Sequence, residues 1–152
     1  MKRHPALIPL THDHHHALAQ ARRLREAAAG PAGERLTTAQ GFVAFFRAEA
    51  VPHFREEEEL LFPLLVAHVD PVPALLGQVL LEHVRIHALV HRLASECAAG
   101  DATEAGCREP AELLAAHIRL EEGELFPLIE AEVPDQLAGL AFSPRHRSQP
   151  TL

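Results

Sequence analysis

The chain has no tryptophan, no tyrosine and a single lysine, Lys2. Without tyrosine or tryptophan it lacks the usual relays for a stable radical, which argues against chemistry of the ribonucleotide-reductase kind. Cysteine is scarce too: Cys97 and Cys107 form neither a disulfide framework nor a C-x-x-C motif, so zinc-knuckle and thiol-exchange readings fall away and both are expected as reduced, buried or idle thiols. No apolar run approaches the roughly 20 residues needed to span a bilayer. Pro5 and Pro9 break the start before a signal-peptide core could form, so the expected location is cytoplasmic, with no membrane partner. A formal charge of -7, from 21 acidic against 14 basic side chains, leaves no positive footprint for a nucleic-acid backbone. Valine- and isoleucine-rich alternating stretches, the mark of strands, are also missing.

What is abundant is histidine, twelve in 152 residues, on a chain whose 47% hydrophobic content suffices for one real core. Apolar residues recur at three- and four-residue steps, which predicts an all-α protein. A first helix is expected after Thr11, through Leu18, Ala21 and Leu24, stopping at Gly30-Pro31-Ala32-Gly33. A second starts near Thr37 or Thr38, where Thr37 and Gln40 have the form of a capping box. It carries Phe42, Phe45, Phe46, Leu60, Leu61 and Leu64 on its apolar stripe, with kinks expected from Pro52 and Pro63. After the Asp70-Pro71-Val72-Pro73 connection a third helix runs from about Pro73 to Ala99, ended by Gly100, and a fourth from about Pro110 to Ala131, disturbed near its end by Pro127. Four such helices with short connections favour an up-down-up-down four-helix bundle over residues 1–134. Residues 135–152 read as a loose C-terminal extension, its Ser143–Pro150 stretch polar and proline-flanked.

The chain repeats itself. His53–Val69 laid over His117–Val133, an offset of 64, gives ten identities in seventeen positions, including His, two successive Glu, and Leu-Phe-Pro. A repeat of that period fits a bundle made of two related helical hairpins and points to a symmetric site.

Residues four apart on a helix lie about 40° apart, so their side chains can converge on one metal ion. Three such pairs occur: His53 with Glu57, His83 with His87, and His117 with Glu121. Each lies in an apolar seam. The second helix steps Phe42, Phe46, Glu49, His53, Glu57, Leu60, Leu64; the third Leu76, Leu80, His83, His87, Val90, Ala94; the fourth Leu114, His117, Glu121, Leu125, Leu128. A charged glutamate there costs several kcal/mol unless a cation sits beside it, and no arginine occupies these seams. A metal meets the requirement. The first helix offers His12, His14, His15 and His16; His14 shares the phase of Ala17, Leu18, Ala21 and Leu24, with His15 in reserve. Of the run Glu56–Glu59 only Glu57 has the inward phase, and His68 and His91 read as surface or outer groups.

These residues resemble the hemerythrin-like, HHE cation-binding family over roughly residues 5 to 133. The likeness rests on Asp13-His14-His15-His16, on His53-x-x-x-Glu57 leading to Leu61-Phe62-Pro63, on Glu82-His83-x-x-x-His87, and on His117-x-x-x-Glu121 leading to Leu125-Phe126-Pro127. The resemblance implies two non-heme irons in a four-helix bundle, with His83, His87 and His117 on one, His14 and His53 on the other, and Glu57 and Glu121 bridging. The open position would then lie on the iron served by His14 and His53, its approach lined by Phe42, Phe45, Phe46 and Leu18. Worm hemerythrins usually carry an aspartate five residues after the last histidine, whereas here Glu121 stands four residues on, a departure that puts the sequence with the HHE branch.

Competing metal classes fail on spacing. Ferritin-like proteins need Glu-x-x-His on two helices and zincins need His-Glu-x-x-His; neither motif occurs. His12-Asp13 imitates the dipeptide of HD-type phosphohydrolases, but Asp70, Asp101 and Asp135 fall in or near loops. Iron suits a mixed imidazole and carboxylate set, while manganese and zinc are tolerated by the same ligands. The leading expectation is a di-iron protein that binds or senses dioxygen, peroxide or nitric oxide, or stores iron. The alternatives are a peroxide-decomposing or oxidase-type enzyme and an iron-dependent regulatory interaction module. Without metal, Glu57 and Glu121 are expected to repel, so that one takes up a proton or the bundle loosens.

Overall fold

The computed structural model describes residues 2–142, and none of the described residues is in a strand. A single 3₁₀ turn at Pro5–Leu7 leads into α1 (Ile8–Ala28). The second rod consists of α2 (Ala32–Phe45), α3 (Val51–Glu56) and α4 (Phe62–His68), joined by π turns at Phe46–Ala50 and Glu57–Leu61. The third is α5 (Ala74–Ala98). The fourth is α6 (Glu104–Leu120), a π turn at Glu121–Leu125 and α7 (Phe126–Glu132), after which comes the short α8 (Pro134–Leu137). α1 packs on α2 and α6, and α5 packs on the same two. Short turns between ring neighbours make this the expected up-down-up-down bundle.

Helix ends follow local chemistry, and three differ from expectation. α1 starts before Thr11 because Pro9 falls in its first turn, where the missing N–H would have had no partner. α2 starts at Ala32, not near Thr37; the Thr37 hydroxyl donates to Gly33 O at 3.1 Å from within the helix and caps nothing. Arg35 explains the early start: its guanidinium donates to Gly30 O at 3.0 Å and to Ala102 O at 2.6 Å, closing the end of α1 and tying together two loops at one end of the bundle. α6 begins at Glu104, not Pro110, since Thr103 Oγ1 accepts from the Gly106 N–H at 2.9 Å as an N-cap. Gly100, with φ 77, ends α5 as predicted.

The π turns rewrite the apolar stripe. Each is closed by an N–H reaching back five residues: Val51 to Phe46, Phe62 to Glu57, Phe126 to Glu121. A proline follows at once, Pro52, Pro63 and Pro127, where the widened turn eases the clash of its ring with the preceding turn. Each π turn absorbs one extra residue, so beyond Glu57 Leu61, Phe62 and Leu65 are buried, while Leu60 is 44% exposed and Leu64 half-buried. On α5 the expected and observed stripes share Leu76, His83 and Val90, but the packed flank is Val79, Ile86 and Leu93. Those three are all large and apolar, whereas the other flank carries His87, and both His87 and Leu80 face outward.

The stretch from 135 on is not wholly loose: Leu137 and Phe142 are buried and pack with Leu7, Leu76 and Ile129, because apolar side chains at these positions close one end of the bundle. The expected loose stretch Ser143–Pro150 lies outside the described residues. Two apolar cores result. One holds Leu24, Phe42, Phe54, Ile86, Leu114 and Ile118; the other holds Leu10, Phe62, Leu65, Val79, Leu125 and Phe126.

Candidate metal centre

Between the two cores runs a polar layer to which every rod contributes. On α1 it falls between Leu10 and Ala17, on the second rod between Ala50 and Leu61, on α5 between Val79 and Ile86, and on the fourth between Leu114 and Leu125. Its members are Asp13, His14, His53, Glu57, His83, His117 and Glu121, none more than 5% exposed. The four imidazoles turn their Nε2 atoms toward the two glutamates. His14 Nε2 stands 3.2 Å from Glu121 Oε2 and 3.8 Å from Glu57 Oε1; His83 Nε2 stands 3.4 Å from Glu121 Oε1 and 3.7 Å from Glu57 Oε2. His117 Nε2 lies 2.5 Å from Glu121 Oε1, and His53 Nε2 touches Glu57 Oε1. The Nε2 atoms of His14 and His53 are themselves only 3.0 Å apart.

The other ring nitrogens face carboxylates. His53 Nδ1 meets Asp13 at 2.9 Å, His117 Nδ1 meets Glu82 at 2.9 Å, His83 Nδ1 meets Glu58 at 2.8 Å and His14 Nδ1 meets Glu122 at 2.6 Å. An Nδ1–H donated outward leaves the Nε2 lone pair pointing inward, which is how metal-binding histidines are held. These four acids were not singled out as partners by helical phase. A signal was nevertheless there: Glu58 and Glu122 follow the paired glutamates at the 64-residue offset, and Asp13-His14 recurs as Glu82-His83 at an offset of 69. Within each hairpin the acid before the first histidine serves the second; across hairpins, Glu58 serves His83 and Glu122 serves His14. The set is twofold symmetric in its pairings.

Charge follows from the geometry. Burial alone would push His14 down, but Glu121, Glu122 and Glu57 outweigh it and hold the imidazole well above its ordinary 6.5. Against their own burial, His53 is raised by Glu57 and Asp13, His83 by Glu121 and Glu57, and His117 by Glu121, Glu57 and Glu82. Burial works to raise Glu121, yet His117, His14 and His83 hold it well below 4.5. The imidazoles thus lie close enough to favour the charged form of Glu121.

These approaches are ion pairs that lack hydrogen-bond geometry: Glu57 Oε1 and Oε2, Glu121 Oε2 and His117 Nε2 are buried without a hydrogen bond. One ligand atom from each of His14, His53, Glu57 and Glu121 falls within 4.8 Å of the others, and the same holds for His83, His117 and Glu121. Glu121 belongs to both groups, so two cations could share it, and Glu57 Oε2 lies 3.7 Å from His83 Nε2 on the second side; the donor set fits a metal.

Six of the seven expected ligands come together in this way. His87 does not: it is exposed, and its ring meets Phe46 and Phe54 edge-on at 5.2 and 5.8 Å. On α1, His14 faces inward while His12 and His15 are exposed and His16 pairs with Glu49 at 3.0 Å. His68 and His91 lie on the surface, Cys97 and Cys107 are free thiols, and burial pushes Cys107 up to about 11. A small cavity reaches His14, His53 and His117, lined by Ala17, Phe45, Ala50, Phe54, Leu114 and Ile118 with Asp13 and Glu49. Of the expected lining residues only Phe45 is there; Phe42, Phe46 and Leu18 are not.

Fold and site together define an all-α bundle whose buried imidazoles and glutamates are built to bind metal cations. Residues 8–129 match the family model described as the hemerythrin HHE cation binding domain, and the chain belongs to that family. No curated protein and no solved structure matches it. Among the described residues no helix is long and apolar enough to cross a membrane.

Proposed function

We propose that the chain is a non-heme di-iron protein that binds or senses dioxygen, peroxide or nitric oxide, or stores iron. His14, His53, Glu57 and Glu121 would hold one ion and His83, His117, Glu57 and Glu121 the other, so that both glutamates would serve both ions. The observation that carries this reading is the pair of fully buried glutamates, three of whose oxygens lack a hydrogen bond among converging Nε2 atoms. Mixed imidazole and carboxylate donors suit iron, with manganese and zinc as competitors. When bound, two ferrous ions sharing carboxylates supply electrons to an oxidant. The chain's own part is to hold the imidazoles in one tautomer through Asp13, Glu58, Glu82 and Glu122, and to exclude bulky polar molecules by the apolar lining of the cavity beside His14 and His53.

Metal analysis and an optical spectrum of freshly purified protein test it: two irons per chain are expected, and azide added to the diferric form should give a charge-transfer band. A protein carrying two ferric ions that is blind to azide would be an iron-holding module. Rapid turnover of hydrogen peroxide by the iron-loaded protein would instead make it an enzyme.

A further inference from the structure

The symmetric centre is asymmetrically supported. Glu122, which holds His14 Nδ1, accepts from Thr11 Oγ1 at 2.8 Å and from Arg3 Nη2 at 2.7 Å, while the same Nη2 donates to the Glu122 carbonyl at 2.9 Å. Arg3 Nη1 binds Glu130, whose second oxygen accepts from the His4 backbone N–H at 2.6 Å. The guanidinium also lies 5.4 Å from the centroid of the Phe126 ring, and that ring stacks on His14 at 5.3 Å. One side chain thus braces His14 from two directions, through its carboxylate partner and through the ring against it. At the corresponding places of the other half the sequence has Val72 for Arg3, Leu80 for Thr11 and Val66 for Glu130. None can donate to or hold a carboxylate, all three are exposed, and Glu58, the counterpart of Glu122, is 38% exposed.

We propose that Arg3 is a positioning residue for the metal centre, acting through Glu122 on His14, and that it makes the His14/His53 position tighter than the His83/His117 position. The inference rests on the two-cation reading above. Arg3 Nη2 holds Oε2 of Glu122 while Thr11 holds Oε1, which together fix the plane of the carboxylate, and the fixed carboxylate sets the rotation of the imidazole it accepts from. Loss of an outer partner of a metal-binding histidine typically costs about 10–100-fold in metal affinity. Arg3 stands one bond further out, so about tenfold, at one position only, is expected.

The test is a titration of the metal-free full-length protein with cobalt(II), read by its visible absorption, with His14→Ala and His83→Ala identifying which step belongs to which position. Arg3→Ala should weaken the His14 step about tenfold and leave the His83 step unchanged. Equal weakening of both steps, or none, overturns the proposal, because a residue that merely fastened the chain's start would not separate them. A wild-type protein that takes up fewer than two cobalt ions overturns the two-cation reading instead. A metal-free measurement judges Arg3 even then: the Nδ1 proton of His14, seen by NMR in histidine-labelled protein, should exchange slowly in the wild type and at least tenfold faster in Arg3→Ala. Unchanged exchange overturns the proposal.

Discussion

At the scale of single residues the centre divides its labour between shared and unshared groups, and the two kinds should respond differently to removal. Glu121 approaches His14, His83 and His117 alike, so Glu121→Ala should lower occupancy at both positions, whereas His14→Ala should affect mainly one; metal analysis after desalting distinguishes them. Full two-metal loading of Glu121→Ala would sink the shared role. His87→Ala provides the contrast. Its ring lies outside the converging set, so the variant should still take up two cations with affinities within about threefold of the wild type, and loss of one cation would restore His87 as a ligand. Much of this was legible in the sequence, because spacing of four and apolar neighbours single out His53, Glu57, His83, His117 and Glu121 without coordinates. The outer carboxylates were harder to see. Helical phase sets Glu58 and Glu122 to the side of their own rods, and only the neighbouring rod turns that side into a binding position.

The element scale is where a strict helical period misleads. Counting 3.6 residues per turn through Pro63 puts Leu60 and Leu64 inward, while the π turn at Glu57–Leu61 takes up one residue and brings Leu61 and Leu65 in. Proline signals a disturbed helix but does not say whether the rod bends or takes an extra residue. The energetic consequence is large. Leu65→Ala removes a fully buried side chain and should cost about 2–5 kcal/mol, while Leu60→Ala, on an exposed side chain, should stay within about 0.5 kcal/mol. Urea denaturation of the two variants measures this directly, and the reverse order would mean that the rod is regular through the site. Two of the three π turns begin at the shared glutamates, Glu57 and Glu121, in keeping with the frequent use of such turns at functional sites.

For the whole molecule, the charged layer couples stability to pH and to metal. The four imidazoles are raised above 6.5, so their pairing with the glutamates contributes fully below that value and is lost as pH rises through the raised values. Glu121 is depressed below 4.5, so its contribution is present above that value and is lost as pH falls. The metal-free protein should be most stable between these limits and soften on either side. Cations require the imidazoles deprotonated, so the gap in melting temperature between loaded and metal-free protein should widen from pH 6 to pH 8; a gap that stays constant or narrows would contradict it. At a free metal concentration 100 times the dissociation constant, each position adds about 2.7 kcal/mol, or about 5–10 °C for a chain of this size. The crossed pairing of Glu58 with His83 and Glu122 with His14 carries a further consequence. Neither hairpin can complete a cation position alone, yet each holds one copy of every group, so two separate hairpins would have to meet at their own dilution to build the centre. The short connection at Val69–Pro73 abolishes that requirement, since a short tether raises one half to an effective concentration in the millimolar range around the other. Cutting the chain there should leave assembly, and with it metal retention, dependent on protein concentration.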